Sequence, residues 1–278
     1  MESAKFYPRR SKHSRKGQYG RVVVAGGSNR YSGCLTFNAL GALSSGADMA
    51  IVVAPRRAAD IVASQSPDLI TVPCNSTFPD PALVQEVSAD ADALVLGCGV
   101  ARTRPAHRAL LSILNDSHIP TVVDAEALHA IAEDSSGIKG KKLLLTPNAG
   151  EFQVLSGASW PESSARRKEV IRTVARRYRS TVIVKGALDF ISDGVKLAVD
   201  REGSPYLTKG GYGDLLAGSA AAFLARGHTP FDAARYAAYL IGSAGKMAAK
   251  EHGEATLASD TLRMLPKVVG RIRGGRTS

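Results

Sequence analysis

Short, continuous apolar runs recur along this 278-residue chain, each ending at glycine, proline or a polar residue. The runs at 93–96, 121–124, 143–146 and 181–185 do not alternate apolar with polar positions. Strands of that kind are buried on both faces, which implies a mostly parallel sheet covered by helices. Further strands are predicted at 21–25, 50–53, 69–72, 189–192 and 196–199. Helical periodicity between them predicts helices at 35–46, 57–65, 105–115, 125–132, 150–156, 161–178, 213–225, 230–251 and 259–269. The alternation gives an α/β fold, a three-layer α/β/α sandwich. Three strands follow one another over 181–199, so Asp193-Gly194 is expected to turn an antiparallel hairpin at the sheet edge. No linker, repeat or low-complexity block interrupts the pattern. A single domain over 1–278 is expected, with 1–15 and 271–278 as flexible tails.

Composition changes this picture little. The hydrophobic fraction of 44% and charged fraction of 22% suit a folded globular chain rather than a disordered one. No apolar run nears the ~20 residues of a membrane span. The first residues are polar and basic, without the apolar core of a secretory leader. Cys34, Cys74 and Cys98 are scattered and make no CxxC, so reduced thiols and a cytoplasmic protein are expected. The net charge of +11 gathers at the two ends and on the helix at 161–178. Without interleaved aromatics it reads as solvated faces with mild attraction for anionic small molecules, not as a nucleic-acid surface.

Candidate chemistry concentrates after the strands, where an open parallel sheet binds ligands. The strongest stretch is Lys209-Gly210-Gly211-Tyr212-Gly213-Asp214, three glycines and a carboxylate feeding an alanine-rich helix. Free N–H groups at a helix N-terminus make an anion site. A phosphate alone gives no reason for a carboxylate there. Asp214 is an ordinary helix N-cap, or it acts on a group beside the phosphate. The helix dipole is expected to lower its pKa. Gly26-Gly27-Ser28 and Gly97-Cys98-Gly99 allow close backbone approach, and Tyr31-Ser32-Gly33-Cys34 opens the first helix toward them. Asp124 is either a cap of the following helix or a functional carboxylate. Glu151, after Pro147-Asn148-Ala149-Gly150, either supports its helix N-terminus or holds magnesium through water. Lys185, before Gly186-Ala187, is a phosphate-binding point charge or a plain strand-terminal lysine. The six histidines show no metal or triad spacing.

With these residues in place, the chain resembles the ribokinase-like superfamily, and within it the ADP/ATP-dependent NAD(P)H-hydrate dehydratases. The resemblance runs from about Lys16 to Pro266 through VVVAGGSNRYSG, LVLGCGVA, TVVDAEAL, LLTPNAGEF, VIVKGA and TKGGYGDLLAG. It implies repair of hydrated NADH or NADPH, in which a nucleotide phosphorylates the ring hydroxyl and phosphate is then eliminated. By position, Asp214 would be the base, with Gly211 and Gly213 supplying anion-hole amides. Lys185, Gly186, Ala187, Leu188 and Asp189, with Gly213, would line the site of ADP or ATP. Cys34, Gly99, Asn148 and Asp214 would contact the hydrated dinucleotide. The resemblance also implies Mg2+ and a homo-oligomer, a tetramer in the family. Bacterial relatives often carry a fused epimerase domain, and none is expected here. The chain departs from the family pattern at Cys34, Cys98, Asn148 and Tyr212, and Tyr212 is expected to crowd the glycine turn. The same Asp214 turn would also serve an ATP-dependent small-molecule alcohol kinase, and the departures would suit a degenerate nucleotide-binding protein.

Overall fold

β1 (Arg21–Ala25) shows how the sheet is covered. Its residues Val22 and Val24 point into one hydrophobic core, while Val23 and Ala25 point into another. A strand apolar at every position thus serves two cores at once. The computed structural model describes residues 6–8, 10–138 and 140–274. Its other strands are β2 (Met49–Pro55), β3 (Ile70–Cys74), β4 (Ala93–Leu96), β5 (Thr121–Val123), β6 (Leu143–Leu145), β7 (Thr181–Val184), β8 (Asp189–Ser192) and β9 (Leu197–Asp200). They form one nine-stranded sheet in the order β3-β2-β1-β4-β5-β6-β7-β8-β9. Pairing is parallel from β3 to β7 and antiparallel at β7–β8 and β8–β9, which is the expected edge hairpin.

Helices α1 (Gly33–Ser44), α2 (Arg56–Ala63), α8 (Tyr212–Ala225), α9 (Pro230–His252) and α10 (Ala258–Arg273) cover one face. The other face carries α3 (Pro81–Ser88), α4 (Arg104–Asp116), α5 (Glu126–Glu133), α6 (Ala149–Ser156) and α7 (Ser164–Tyr178). The three-layer α/β/α sandwich is therefore as expected. Helix α3 was not expected from periodicity. It buries Val84 fully and packs Leu83 and Val87 partly, a stripe of barely one turn, so its clearest signal is local. Asp80 caps it by accepting from Leu83 N at 3.0 Å, and Pro81 opens its first turn.

Two other expectations change. Phe6 is 1% exposed and packs against Phe223 and Tyr236, so the tail expected over 1–15 is anchored there by aromatic burial. Residues 271–273 continue α10, and the remaining tail positions, 1–5, 9 and 275–278, lie outside the described residues. The apolar stretch 231–240 is the core face of α9, with Phe231, Tyr236 and Leu240 buried.

Sheet order reverses at β1, because β2 and β3 lie on one side and β4 onward on the other. The loops after β1 and β4 flank this switch point, where such folds bind ligands. Helices α1 and α8 cross close beneath it. A Cβ on Gly218 would come 2.0 Å from Asn38 O, and one on Gly41 would come 3.1 Å from Leu215 O. The Gly218→Ala protein should lose stability at the upper end of the ~1–3 kcal/mol of overpacked cores. Denaturant unfolding measures it.

Candidate active site

Two clefts open at the carboxyl end of the sheet, and the glycine turn before α8 stands between them. The first, of about 520 Å³, is lined by Lys185, Gly186, Ala187 and Asp189 after β7, by Asn148 and Glu151, and by Gly210 to Asp214. The second, of about 500 Å³, is lined by Tyr31, Cys34 and Phe37 of the β1–α1 region, by Gly99, and by Gly211 and Asp214. Gly211 and Asp214 line both.

Local sequence explains the turn. Gly211 is the N-cap of α8 at φ +96°, and a Cβ there would press on Phe37 and Ala258 at 2.8 Å. Only glycine fits that combination without strain. The first N–H groups of α8 have no intrahelical partners and face the clefts at the positive end of the helix. Asp214 sits in this first turn without capping the helix by its side chain. Instead, Asn38 Nδ2 donates to Asp214 Oδ1 at 3.4 Å and to Cys34 O at 2.9 Å. Asn38 is fully buried on an otherwise apolar helix face. Sequence reading missed it, although an asparagine inside LTFNALGAL is the signal that would have found it.

Asp214 also corrects an electrostatic expectation. Burial first, and then the nearby Asp124, push its carboxyl up to about 7, against the pull of Lys185 and Asn38. Burial dominates, so the group is poised near neutrality rather than depressed.

Asp124 lies at the end of β5 and is 3% exposed. It makes no cap bond to α5. Its Oδ1 accepts from Thr146 Oγ1 at 2.7 Å and from Lys185 Nζ at 2.8 Å. The next residue, Ala125, has φ +49°, an unusual conformation for a residue with a Cβ, and a Cβ on Gly97 would come 2.3 Å from Asp124 O. Lys185 is thus no plain surface lysine. Burial pulls its pKa down, but Asp124 and Glu151 outweigh that and hold its ammonium above the ordinary lysine range. Its Nζ also lies 3.0 Å from where a Gly213 Cβ would stand.

The remaining candidates divide. Cys34, Gly99 and Asp214 share the second cleft. Asn148 does not, since it lines the first cleft and caps α6. Its Oδ1 accepts from Glu151 N at 2.9 Å, and Glu151 Oε2 accepts from Asn148 N at 2.8 Å. That capping box supplies the structural role foreseen for Glu151, while its carboxylate still lines the cleft. Leu188 does not line the cleft either, because its side chain packs on the core under β8. Asp189 shapes the loop instead, accepting from Gly186 N at 2.9 Å, and burial pushes its carboxyl up to about 7.

Tyr212 does not crowd the turn. Its side chain is 7% exposed, packs into the core beneath α8, and faces Thr261 and Asp260 of α10. Tyr212→Thr should therefore cost about 2–4 kcal/mol through the cavity left in the core by its buried ring. Turnover per folded molecule should stay close to that of the parent, as thermal melting and activity at low temperature would measure.

Known proteins place this geometry. A profile of the family described as NAD(P)H-hydrate dehydratase matches residues 22–267. The chain is 36% identical over 270 residues to the ADP-dependent (S)-NAD(P)H-hydrate dehydratase of Cenarchaeum symbiosum, covering 95% of this chain and 93% of that protein. It is 39% identical over 265 residues to the bifunctional NAD(P)H-hydrate repair enzyme Nnr of Pyrobaculum aerophilum, covering 93% of this chain and 52% of that one. The chain thus spans about half the length of the bifunctional relatives it matches. The crystal structure of the ADP/ATP-dependent NAD(P)H-hydrate dehydratase of Bacillus subtilis, co-crystallized with ATP/Mg2+, shares the fold. Its TM-score is 0.86 at 24% identity, over 97% of this chain and 96% of that one. No helix among the described residues is long and apolar enough to cross a membrane. With its three-layer α/β/α sandwich and its match across nearly the whole chain, the protein belongs to the NAD(P)H-hydrate dehydratase family.

Proposed function

We propose that the chain dehydrates hydrated NADH or NADPH back to the reduced coenzyme, using ADP or ATP as phosphate donor. The observation that carries this reading is the position of Asp214 and Gly211, which line both clefts at once. The first cleft takes the nucleotide, against Lys185, Gly186, Ala187 and Asp189. The second takes the hydrated nicotinamide, against Cys34 and Gly99. Its ring hydroxyl then meets the terminal phosphoryl group over the glycine turn. Asp214 accepts the hydroxyl proton as the oxygen attacks phosphorus, and the free amides of the Gly211–Gly213 turn face the developing charge. The phosphate formed on the ring is a far better leaving group than hydroxide. Its elimination, with loss of a proton from the neighbouring ring carbon to solvent, restores the ring double bond.

Four carboxylates, those of Asp124, Glu151, Asp189 and Asp214, line the first cleft against the two ammoniums of Lys185 and Lys209. That excess of negative charge fits a divalent cation carried in with the phosphates. Glu151 would hold Mg2+ through water, and the ion would neutralise phosphate charge. The protein is further expected to act in the cytoplasm as a homo-oligomer, whose size gel filtration with light scattering measures.

Asp214 must be ionised to accept a proton, and its carboxyl is held up to about 7. Turnover at low substrate should therefore rise about tenfold per pH unit below that value and level off above it. The deciding assay offers hydrated NADH, ADP and ATP in parallel, with magnesium present. Nucleotide-dependent recovery of the reduced-nicotinamide absorbance supports the reading. A stable phosphoester without coenzyme recovery would make this an alcohol kinase instead. Nucleotide binding without either product would make it a degenerate binding protein.

A further inference from the structure

Two thiols converge on Asp214 from separate parts of the fold. Cys34 lies in the first turn of α1, and Cys98 is the middle residue of the turn after β4. One sulfur from each and a carboxylate oxygen of Asp214 all lie within 4.8 Å of one another. Close backbone packing fixes both thiols. A Cβ on Gly99 would come 2.5 Å from Cys34 Sγ, and one on Gly26 would come 2.9 Å from Cys98 Sγ. Gly27 N donates to Cys98 O at 2.7 Å, which pins the second thiol across the switch point. Cys34 and Asp214 both line the second cleft, so an ion has a way in, while Cys98 is fully buried behind them. The proposed dehydration gives neither sulfur a bond to make or break, although Cys34 lines the cleft assigned to the substrate.

We infer that Cys34, Cys98 and Asp214 form a binding site for a thiophilic divalent cation of the Zn2+ class, and that its occupancy takes Asp214 out of the reaction. Two thiolates and a carboxylate are a donor set that zinc-like ions prefer and Mg2+ does not. Tetrahedral zinc sits ~2.3 Å from sulfur and ~2.0–2.2 Å from carboxylate oxygen. Three donors already this close reach those distances by small side-chain rotations, and the fourth position opens on the cleft. On binding, each thiol gives a proton to solvent as its sulfur–metal bond forms, and Asp214 binds as the carboxylate. No atom changes oxidation state. The inhibitory consequence rests on the reading of Asp214 as base, whereas the site itself does not.

The test uses Co2+ as a spectroscopic probe on the full reduced chain. A thiolate-to-cobalt charge-transfer band should appear and saturate at one ion per chain. Zn2+ should remove it, and excess Mg2+ should leave it. Cys98→Ala should abolish the band, and so should Cys34→Ala, which changes the more exposed sulfur and guards against a folding failure in the first variant. In the turnover assay, Zn2+ should inhibit the parent, and a chelator should restore it. Each cysteine variant, assayed against its own metal-free rate, should need about tenfold more Zn2+ or beyond. No band in the parent, or a band that survives in both variants, overturns the site. Activity loss reversed by dithiothreitol but not by a chelator marks a disulfide between the thiols and also overturns it. A band in a protein with no repair activity upholds the site and sinks the proposed function alone.

Discussion

Asp214→Asn should lower turnover by about 10²–10⁴-fold, the range a positioned general base contributes. Nucleotide affinity should be kept. The substitution preserves side-chain size beside Asn38 and leaves the backbone of the glycine turn as it is. It removes only the capacity to accept a proton. The same change should stabilise the protein. The folded-state carboxyl stands at about 7, above the ordinary 3.8, so the native state binds the proton more tightly than the unfolded chain. Stability from that proton is complete below the ordinary value. It is lost as pH rises from there toward about 7, because ionising a buried carboxylate costs free energy. The melting temperature of the Asn variant should therefore exceed that of the parent by a margin that widens across this window and stays constant above it. Activity lost with stability gained is the pattern of a carboxylate kept for chemistry. Activity lost with stability also lost would mark Asp214 as structural. Full activity in the Asn variant would remove it from the mechanism.

The fold was legible because its signals are local and agree with one another. Runs such as 93–96 and 143–146 carry enough apolar residues to fix both a strand and its two-sided burial. Helix α3 escaped because its apolar stripe of Leu83, Val84 and Val87 spans barely one turn. The glycine turn was legible as a site because three glycines and an aspartate exceed what a cap requires. The charge state of Asp214 was not. A sequence shows the helix dipole acting on a residue near its start. What raises the Asp214 carboxyl is burial between the walls of two clefts and the charge of Asp124, both set by parts distant along the chain. Asp124 and Lys185 were each visible as strand-end residues, yet their pairing depends on β5 and β7 flanking β6. Tyr212 misled for a similar reason. Its position in the turn was plain, but which way the ring points is decided by α10 packing against the start of α8.

That long-range pairing carries the second large effect. Asp124 and Lys185 meet at 2.8 Å, with side-chain exposures of 4% and 20%. Lys185→Met removes the ammonium and leaves the carboxylate in a site built for a charged pair. Thr146 still donates to it, but one hydroxyl does not replace a full positive charge. Breaking a buried pair from one side costs about 3–5 kcal/mol, and denaturant unfolding should find a loss of that size. The double change Asp124→Asn with Lys185→Met removes both charges and should recover most of the loss, since replacing a whole buried pair is often neutral. The recovered stability should not bring back activity. Lys185 lies under Gly213 and lines the cleft assigned to the nucleotide, so the double variant should fold and yet bind ADP and ATP weakly. If the double variant is no more stable than Lys185→Met, the pair is not what holds the ends of β5 and β7 together. If it binds nucleotide as the parent does, the phosphates lie elsewhere, and the assignment of the first cleft fails with them.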